Sequence, residues 1–396
     1  MYADKEYIIS LRHEIHEYPE IGFELPKTIA VVKRELDNLG IPYTTEYGES
    51  SVVGIINPDK SHFTIGIRAD MDALLIEEKT DLPFKSKIKG QMHACGHDAH
   101  TAMLLGTAKA LKEMEDTLAC RVMLVFQPSE EGIRSGAEEL VKVGLMDEID
   151  VIIGLHMENW LPSGTIGVHP GVSMASSRNF RVDFYGATAH ASLPQSGKDA
   201  LACAVRTYNS IQQVISREVN PFEKFICSIG QLSGGTSQNI IADHAYLVGT
   251  IRTFNMELDN FLVKRITEIA QNEAAMIGAE ACVNTSLQAY VLYNNPYISE
   301  LVLKSAAKTV GAENIVDMPE KLSSEDFSHY LTKKPGVFIR LGTRNEDKGC
   351  VTLPHNNDFL IDEDAFVTGS DACVQFVLDN MNGIDMEKVK QSDERK

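Results

Sequence analysis

The 396-residue chain reads as an α/β protein: a mixed sheet covered by helices, interrupted by a smaller inserted βαββαβ domain. Three observations predict this. Short apolar runs alternate with helical spacing through the first part of the chain, the grammar changes near Phe180 to closely spaced strands, and the first grammar returns after Pro296. The length allows two or three domains, and 43% hydrophobic residues with 23% charged ones are enough to fill their cores.

Helical spacing covers Lys5 to Glu17 and Lys27 to Leu39, the second opened by Pro26. Val52–Ile56 and Thr64–Ile67 read as strands, followed by a helix from Ala99 to Glu115, a strand at Arg121–Phe126, a helix at Gly136–Val143 and a strand at Val151–Leu155. Such alternation makes a mainly parallel or mixed sheet whose chemistry lies beyond the C-terminal strand ends. Strand Phe180–Tyr185, helix Asp199–Ile215, strands Phe225–Gln231 and Ala245–Arg252, helix Leu258–Ile277 and strand Glu280–Leu287 then spell the ferredoxin-like order. Leu232 to Asn239, between the two middle strands, is too long for a two-residue turn and reads as a mobile or ligand-touching loop. Helices at Ser299–Thr309 and Glu325–Leu331, a strand at Val337–Leu341 and a helix from Glu363 to Leu378 complete the pattern. The expected domains are therefore 1–173 with 295–396, and 174–294 as the insert. The tail from Glu387, polar apart from Val389, is expected to fray.

A net charge of -19 repels phosphate backbones and anionic lipid surfaces alike, so neither nucleic acid nor membrane is an expected partner. No stretch approaches the ~18 apolar residues of a membrane span, and the opening residues carry charges where a signal peptide needs an apolar run. A cytoplasmic enzyme is the expectation. Seven cysteines do not form a disulfide framework; Cys120, Cys203, Cys227, Cys282 and Cys373 read as small core residues.

Cys95 does not. It lies in His93-Ala-Cys-Gly-His-Asp-Ala-His100, where imidazoles, a thiol and a carboxylate crowd ahead of a long helix. These side chains bind zinc-like ions; Cys95 and His97 can point to one side while Asp98 caps the helix. Any one of these residues would more often be structural, but this density favours a metal. Glu130 and Glu131 follow an apolar strand, and successive side chains alternate in direction. One acid can then ligate an ion while its neighbour takes a proton from the attacking water, as in zinc hydrolases; alone, the pair would read as solvated loop acids. His156 ends an apolar run and His355 sits in a turn-rich segment; convergence of strand ends raises both above ordinary loop histidines. Asp70 and Asp72 are either acceptors that orient a ligating imidazole or turn residues bonding their own backbone. In the insert, His190, Asn239 and Arg252 are donors suited to a carboxylate or an oxyanion, or ordinary loop residues. No phosphate-cradling or serine-elbow motif is present.

Taken together, Arg68-Ala-Asp-Met-Asp-Ala-Leu, the His93–His100 run, Phe126-Gln-Pro-Ser-Glu-Glu-Gly, Gly154-Leu-His, Gly186-Ala-Thr-Ala-His-Ala-Ser-Leu-Pro, Gly249-Thr-Ile-Arg-Thr-Phe and Ser324-Glu-Asp-Phe resemble the aminoacylase/carboxypeptidase amidohydrolases, including hippurate hydrolases, N-acyl-amino-acid deacylases and plant hydrolases of indole-acetyl amino acids. The resemblance is collinear from Arg12 to Leu378. It implies a metallohydrolase catalytic domain with an inserted lid that also dimerises, and two divalent ions per subunit (zinc, manganese, cobalt or nickel). Cys95, His97, Glu131, His156 and His355 match its metal ligands, Glu130 its general base, His190 its lid histidine, and Asn239 and Arg252 its residues near the substrate carboxylate. Leu75 and Ala242 where the family has Pro, Gln195 for His, and Asn356-Asn357 for Ser-Pro depart from the pattern and leave the ligand set intact.

The expected function is hydrolysis of the amide bond of N-acyl amino acids by water that Glu130 activates at the metal. Rival readings are a dipeptidase or carboxypeptidase on the same machinery, and a non-catalytic metal-bound dimer that binds acyl amino acids or peptides. Glu130 argues against the last, since a binder needs no base beside a ligand.

Overall fold

In the computed structural model, which describes residues 1–393 and 395, the chain forms two compact units. The larger comprises Met1–Ser173, Tyr293–Glu320 and the chain from Asp326 on; the smaller comprises Met174–Leu292 with Lys321–Glu325. The short return segment Lys321–Glu325 was not expected in the smaller unit. It is held there by a backbone bond from Ala175 to Lys321 of 3.0 Å and by a 3.0 Å bond from Arg252 Nη1 to Ser324 Oγ.

The large unit is built on an eight-stranded sheet in the order Tyr43–Thr44, Val52–Ile56, Arg121–Gln127, Thr64–Asp70, Val151–Pro162, Gly336–Arg344, Ile166–Val168, Ile315–Asp317. Thr64–Asp70 lies parallel to both its neighbours and is buried at every position, the charged Arg68 and Asp70 included. Val52–Ile56 runs antiparallel at the side, so the sheet is mixed. Helix His97–Glu113 is buried at fourteen of its seventeen positions because it packs beneath helices Lys5–His16 and Phe366–Asn380 as well as on the sheet. Gly106 makes the crossing possible: a Cβ there would meet Ile8 at 2.5 Å.

The small unit has strand Ser177–Tyr185, helix Ala200–Arg217, strands Phe225–Gly234 and His244–Thr253, helix Met256–Ala275 and strand Glu280–Ala289. All pairings are antiparallel, in the order fourth, first, third, second, which is the ferredoxin-like sheet the sequence predicts. Both helices pack on one face, so side chains alternate between that core and an open face. Cys282 lies on the open side of an edge strand and is exposed, so it is not the core residue expected, whereas Cys227 is partly buried and packs against the core.

Other departures have local causes. The strand containing His156 does not end there but continues to Pro162, because Gly336–Arg344 pairs along its whole length. The helix expected from Glu325 is confined to Ser328–Leu331, since the Asp326 carboxylate is turned into a buried network. The tail, instead of fraying, forms helix Met386–Gln391, capped by Asp385 and anchored by buried Val389; residues 394 and 396 lie outside the described residues. No helix among the described residues is long and apolar enough to cross a membrane.

The centre of the large sheet holds Arg68, whose side chain is fully buried. Its guanidinium donates to Asp70 at 2.7 Å, Asp326 at 2.9 Å and Gln127 at 2.8 Å. Burial pushes the Asp70 carboxyl up, but Arg68, His97 and His100 outweigh it and hold it well below the usual carboxylate range. Arg68→Met strands two buried acids, so it should destabilise the fold by about 3–5 kcal/mol in denaturant titrations at neutral pH. Because the folded pKa of Asp70 is depressed, this contribution is complete above its unfolded value of about 4 and is lost as pH falls further, and the gap between variant and parent should narrow there. A change under about 1 kcal/mol at neutral pH would contradict this role.

Candidate metal centre

The motif around Cys95 reaches the strand ends through a tight turn. Gly96 has φ +87°, a left-handed conformation that favours glycine, and a Cβ on it would have to displace the end of Met157. Gly96, with no side-chain cap, starts the helix; Asp98 does not cap it as expected. Its carboxylate instead accepts from Arg12 Nε at 2.8 Å and His16 Nδ1 at 2.7 Å, two buried groups that need an acceptor more than the helix end does. Burial raises the Asp98 carboxyl, yet Arg12 and His16 hold it far below its ordinary range.

The ring nitrogens decide which imidazoles are available. His156 Nδ1 donates to the Met157 carbonyl at 2.6 Å, so Nε2 carries the lone pair, and it faces Cys95 Sγ at 3.4 Å. Burial, with His100 and Arg340 nearby, keeps this ring neutral. His100 has both nitrogens occupied, Nδ1 by Asp70 at 2.6 Å and Nε2 by the Met157 N–H at 3.1 Å, and acts as a strut. His97 is buried with neither nitrogen hydrogen-bonded; Asp72 Oδ1 stands 3.5 Å from Nδ1 and Asp70 Oδ2 3.7 Å from Nε2. Burial would lower its pKa, but Asp70, Asp72 and Glu131 raise it to about 10, which marks a place that favours positive charge. His93 is also buried and unbonded, its pKa lowered by burial to about 3, and it joins none of the ligand groupings.

Those groupings have donor atoms within 4.8 Å of one another. Cys95 with His97 and His156 makes one, and Cys95 with Glu131 and His355 makes another. They share the thiol. His355, at φ +65° in a strained turn, is tied by its N–H to the Ala94 carbonyl at 2.7 Å and sets Nε2 2.9 Å from Glu131 Oε1. Glu130 falls with His97 and Glu131 in a further grouping. Asp72 accepts the backbone N–H of Glu130 at 2.9 Å and of Glu131 at 3.0 Å. Burial and the charges of Glu131, Glu130 and Asp70 push the Cys95 thiol well above its ordinary range. A buried thiol, three available imidazoles (His97, His156 and His355) and carboxylates suit a borderline-soft divalent cation, whose charge would offset theirs.

Residues 66–379 match Peptidase family M20/M25/M40. The chain belongs to this family. It is 37% identical to thermostable carboxypeptidase 1 of Saccharolobus solfataricus, over 92% of this chain and 93% of that protein. It is likewise 37% identical to the N-acetyl-L-cysteine deacetylase of Bacillus subtilis, over 92% and 86% of the two chains. The solved YXEP protein of Bacillus subtilis, a dinuclear metal-binding peptidase of the M20 family, superposes with a TM-score of 0.80 at 30% identity, covering 96% of this chain and 99% of that one. The resemblance read from the motifs is therefore sound, and this M20 chain is an amidohydrolase.

In the small unit, strand Phe225–Gly234 continues past Gln231, so the loop begins only at Gly235. The backbone of that loop pairs with the His190 turn, Ala191 N–H to the Asn239 carbonyl at 3.0 Å. His190 Nδ1 accepts from the Ser192 N–H at 3.1 Å and lies 2.7 Å from its hydroxyl, which leaves the proton on Nε2. Arg252 is half-buried, and burial lowers its pKa. Sequence reading missed Ser324 as its partner, and Gln127 and Asp326 as the frame behind the site; the buried Arg68 on an apolar strand was the available signal.

Ligation by Cys95 must expel the thiol proton, so zinc affinity should rise with pH, about tenfold per unit for each proton displaced. In buffered-zinc titrations Cys95→Ala should bind more weakly and flatten that slope by one proton. An unchanged slope and affinity would remove Cys95 from the site.

Proposed function

We propose that the protein hydrolyses the amide bond of N-acyl amino acids, using two divalent ions (zinc, manganese, cobalt or nickel) that Cys95, His97, Glu131, His156 and His355 would hold. The observation that carries this reading is the pair of ligand groupings sharing one thiol, with a second acid adjacent to the ligating one. Cys95, His97 and His156 would hold one ion, and Cys95, Glu131 and His355 the other. When bound, the ions supply positive charge that polarises the acyl carbonyl and acidifies the attacking water.

Glu130 takes the proton of the attacking water and delivers it to the leaving amine. His190, protonated at Nε2, donates to the oxyanion as it develops. Arg252, with a single hydroxyl partner, is free to take the amino acid's carboxylate bidentately, and Asn239 adds a further donor. Asp70, Asp72 and Asp98 stand behind these groups as acceptors. The insert's sheet ends in edge strand Phe225–Gly234, and a free edge is a natural surface for pairing two copies, which supports a homodimer formed through residues 174–294. A cytoplasmic location agrees with this substrate class.

A peptidase reading is kept alive by the relative named as a carboxypeptidase. Turnover of N-acetyl, N-benzoyl, indole-acetyl and long-chain acyl amino acids, against dipeptides with a free α-amino group, separates the two. Acyl amino acids should be preferred; preference for dipeptides would reverse the assignment. Glu130→Gln should retain metal and lose ~100-fold to ~10,000-fold in turnover, whereas Glu131→Gln should lose metal as well. The opposite metal pattern would exchange the two roles.

A further inference from the structure

Asp72 carries more geometry than an imidazole acceptor needs. It is buried, with 1% of its surface exposed, just past the end of strand Thr64–Asp70, and each of its oxygens takes one of two consecutive backbone N–H groups, those of Glu130 and Glu131. In extended chain consecutive amides point opposite ways. Here the backbone is wound so that both face one carboxylate, a concave anion-binding arrangement of the kind called a nest.

The winding is built in. Ser129 holds φ +53°, its hydroxyl donates to the Arg134 carbonyl at 2.6 Å, and the Gly136 N–H returns to the Ser129 carbonyl at 3.0 Å. Gly132 must lack a side chain, since a Cβ would fall 2.1 Å from Ser129 Oγ. The same carboxylate reaches to 3.5 Å from His97 Nδ1. One side chain thus fixes the backbone under both acids and faces the imidazole between them.

We propose that Asp72 is a positioning residue that sets where Glu130 stands relative to the ligand residues, acting through the backbone amides of the acid pair. The inference rests on Glu130 being the base. Asparagine cannot replace it: its amide nitrogen would face an N–H donor and one of the two bonds would be lost.

A displacement of about 1 Å at a reacting group can cost ~100-fold in rate. Asp72→Asn should therefore lower kcat by about that factor at saturating metal, with KM within about threefold and metal content unchanged. Added to Glu130→Gln, it should cost less than about threefold further, since two residues acting through one group are not additive. Asp72→Glu, which keeps the buried charge but moves the oxygens, should show the same loss and serves if the asparagine variant does not fold. Full multiplication of the two losses, loss of bound metal, or an unchanged kcat would each overturn the role of Asp72. Normal turnover in Glu130→Gln alone would instead overturn the base assignment.

Discussion

A guanidinium buried in the middle of a sheet needs compensation on every side, and Arg68 has it. Its partners come from three separated stretches: Asp70 on its own strand, Gln127 at the end of the neighbouring strand, and Asp326 beyond the last crossing. Asp326 also accepts from Ser135 and from the Ala137 N–H at the start of helix Gly136–Lys142. An unpaired charge here would be too costly to tolerate, so these segments can meet in only one relation. The site grows from that fixed frame, with Asp70 passing the constraint to His100 and the first turn of the central helix, and Asp72 to the acid loop.

The electrostatic logic follows. Burial, with the carboxylates gathered at the strand ends, raises the Cys95 thiol, and against burial the same carboxylates raise the His97 imidazole, which is the field a cation would relieve. Orientation is settled by what lies behind each group. His156 is aimed by a backbone carbonyl, His100 is spent on both nitrogens, and His355 is aimed by a strained turn anchored on Ala94. Three histidines with similar sequence signals thus acquire different parts to play, and backbone partners separate them.

Much of this was legible in the chain itself. Apolar runs and the change of grammar at Phe180 located both sheets, because strand and helix periods are set by local burial. Cys95, His97, Glu131, His156 and His355 stand out as candidate ligands through the density of donors ahead of a helix, the acid pair after an apolar strand and two isolated histidines, and the resemblance matches all five to metal ligands. Less legible were effects decided by distant partners. Asp98 reads as a helix cap until Arg12 and His16 arrive from another helix, and Glu325–Phe327 reads as helix until Asp326 is drawn to Arg68. The Cys282 pattern matches a buried strand, but only the placement of both helices on one face shows which side is open.

Cys95 belongs to both ligand groupings. X-ray absorption at the zinc edge of fully loaded protein, compared with Cys95→Ser, tests its ligation most directly. If Cys95 ligates, the parent should bind two zinc ions per subunit with sulfur at about 2.3 Å among their neighbours, and the sulfur shell should disappear in the variant. One ion per subunit, or a sulfur shell that survives in Cys95→Ser, would contradict this reading.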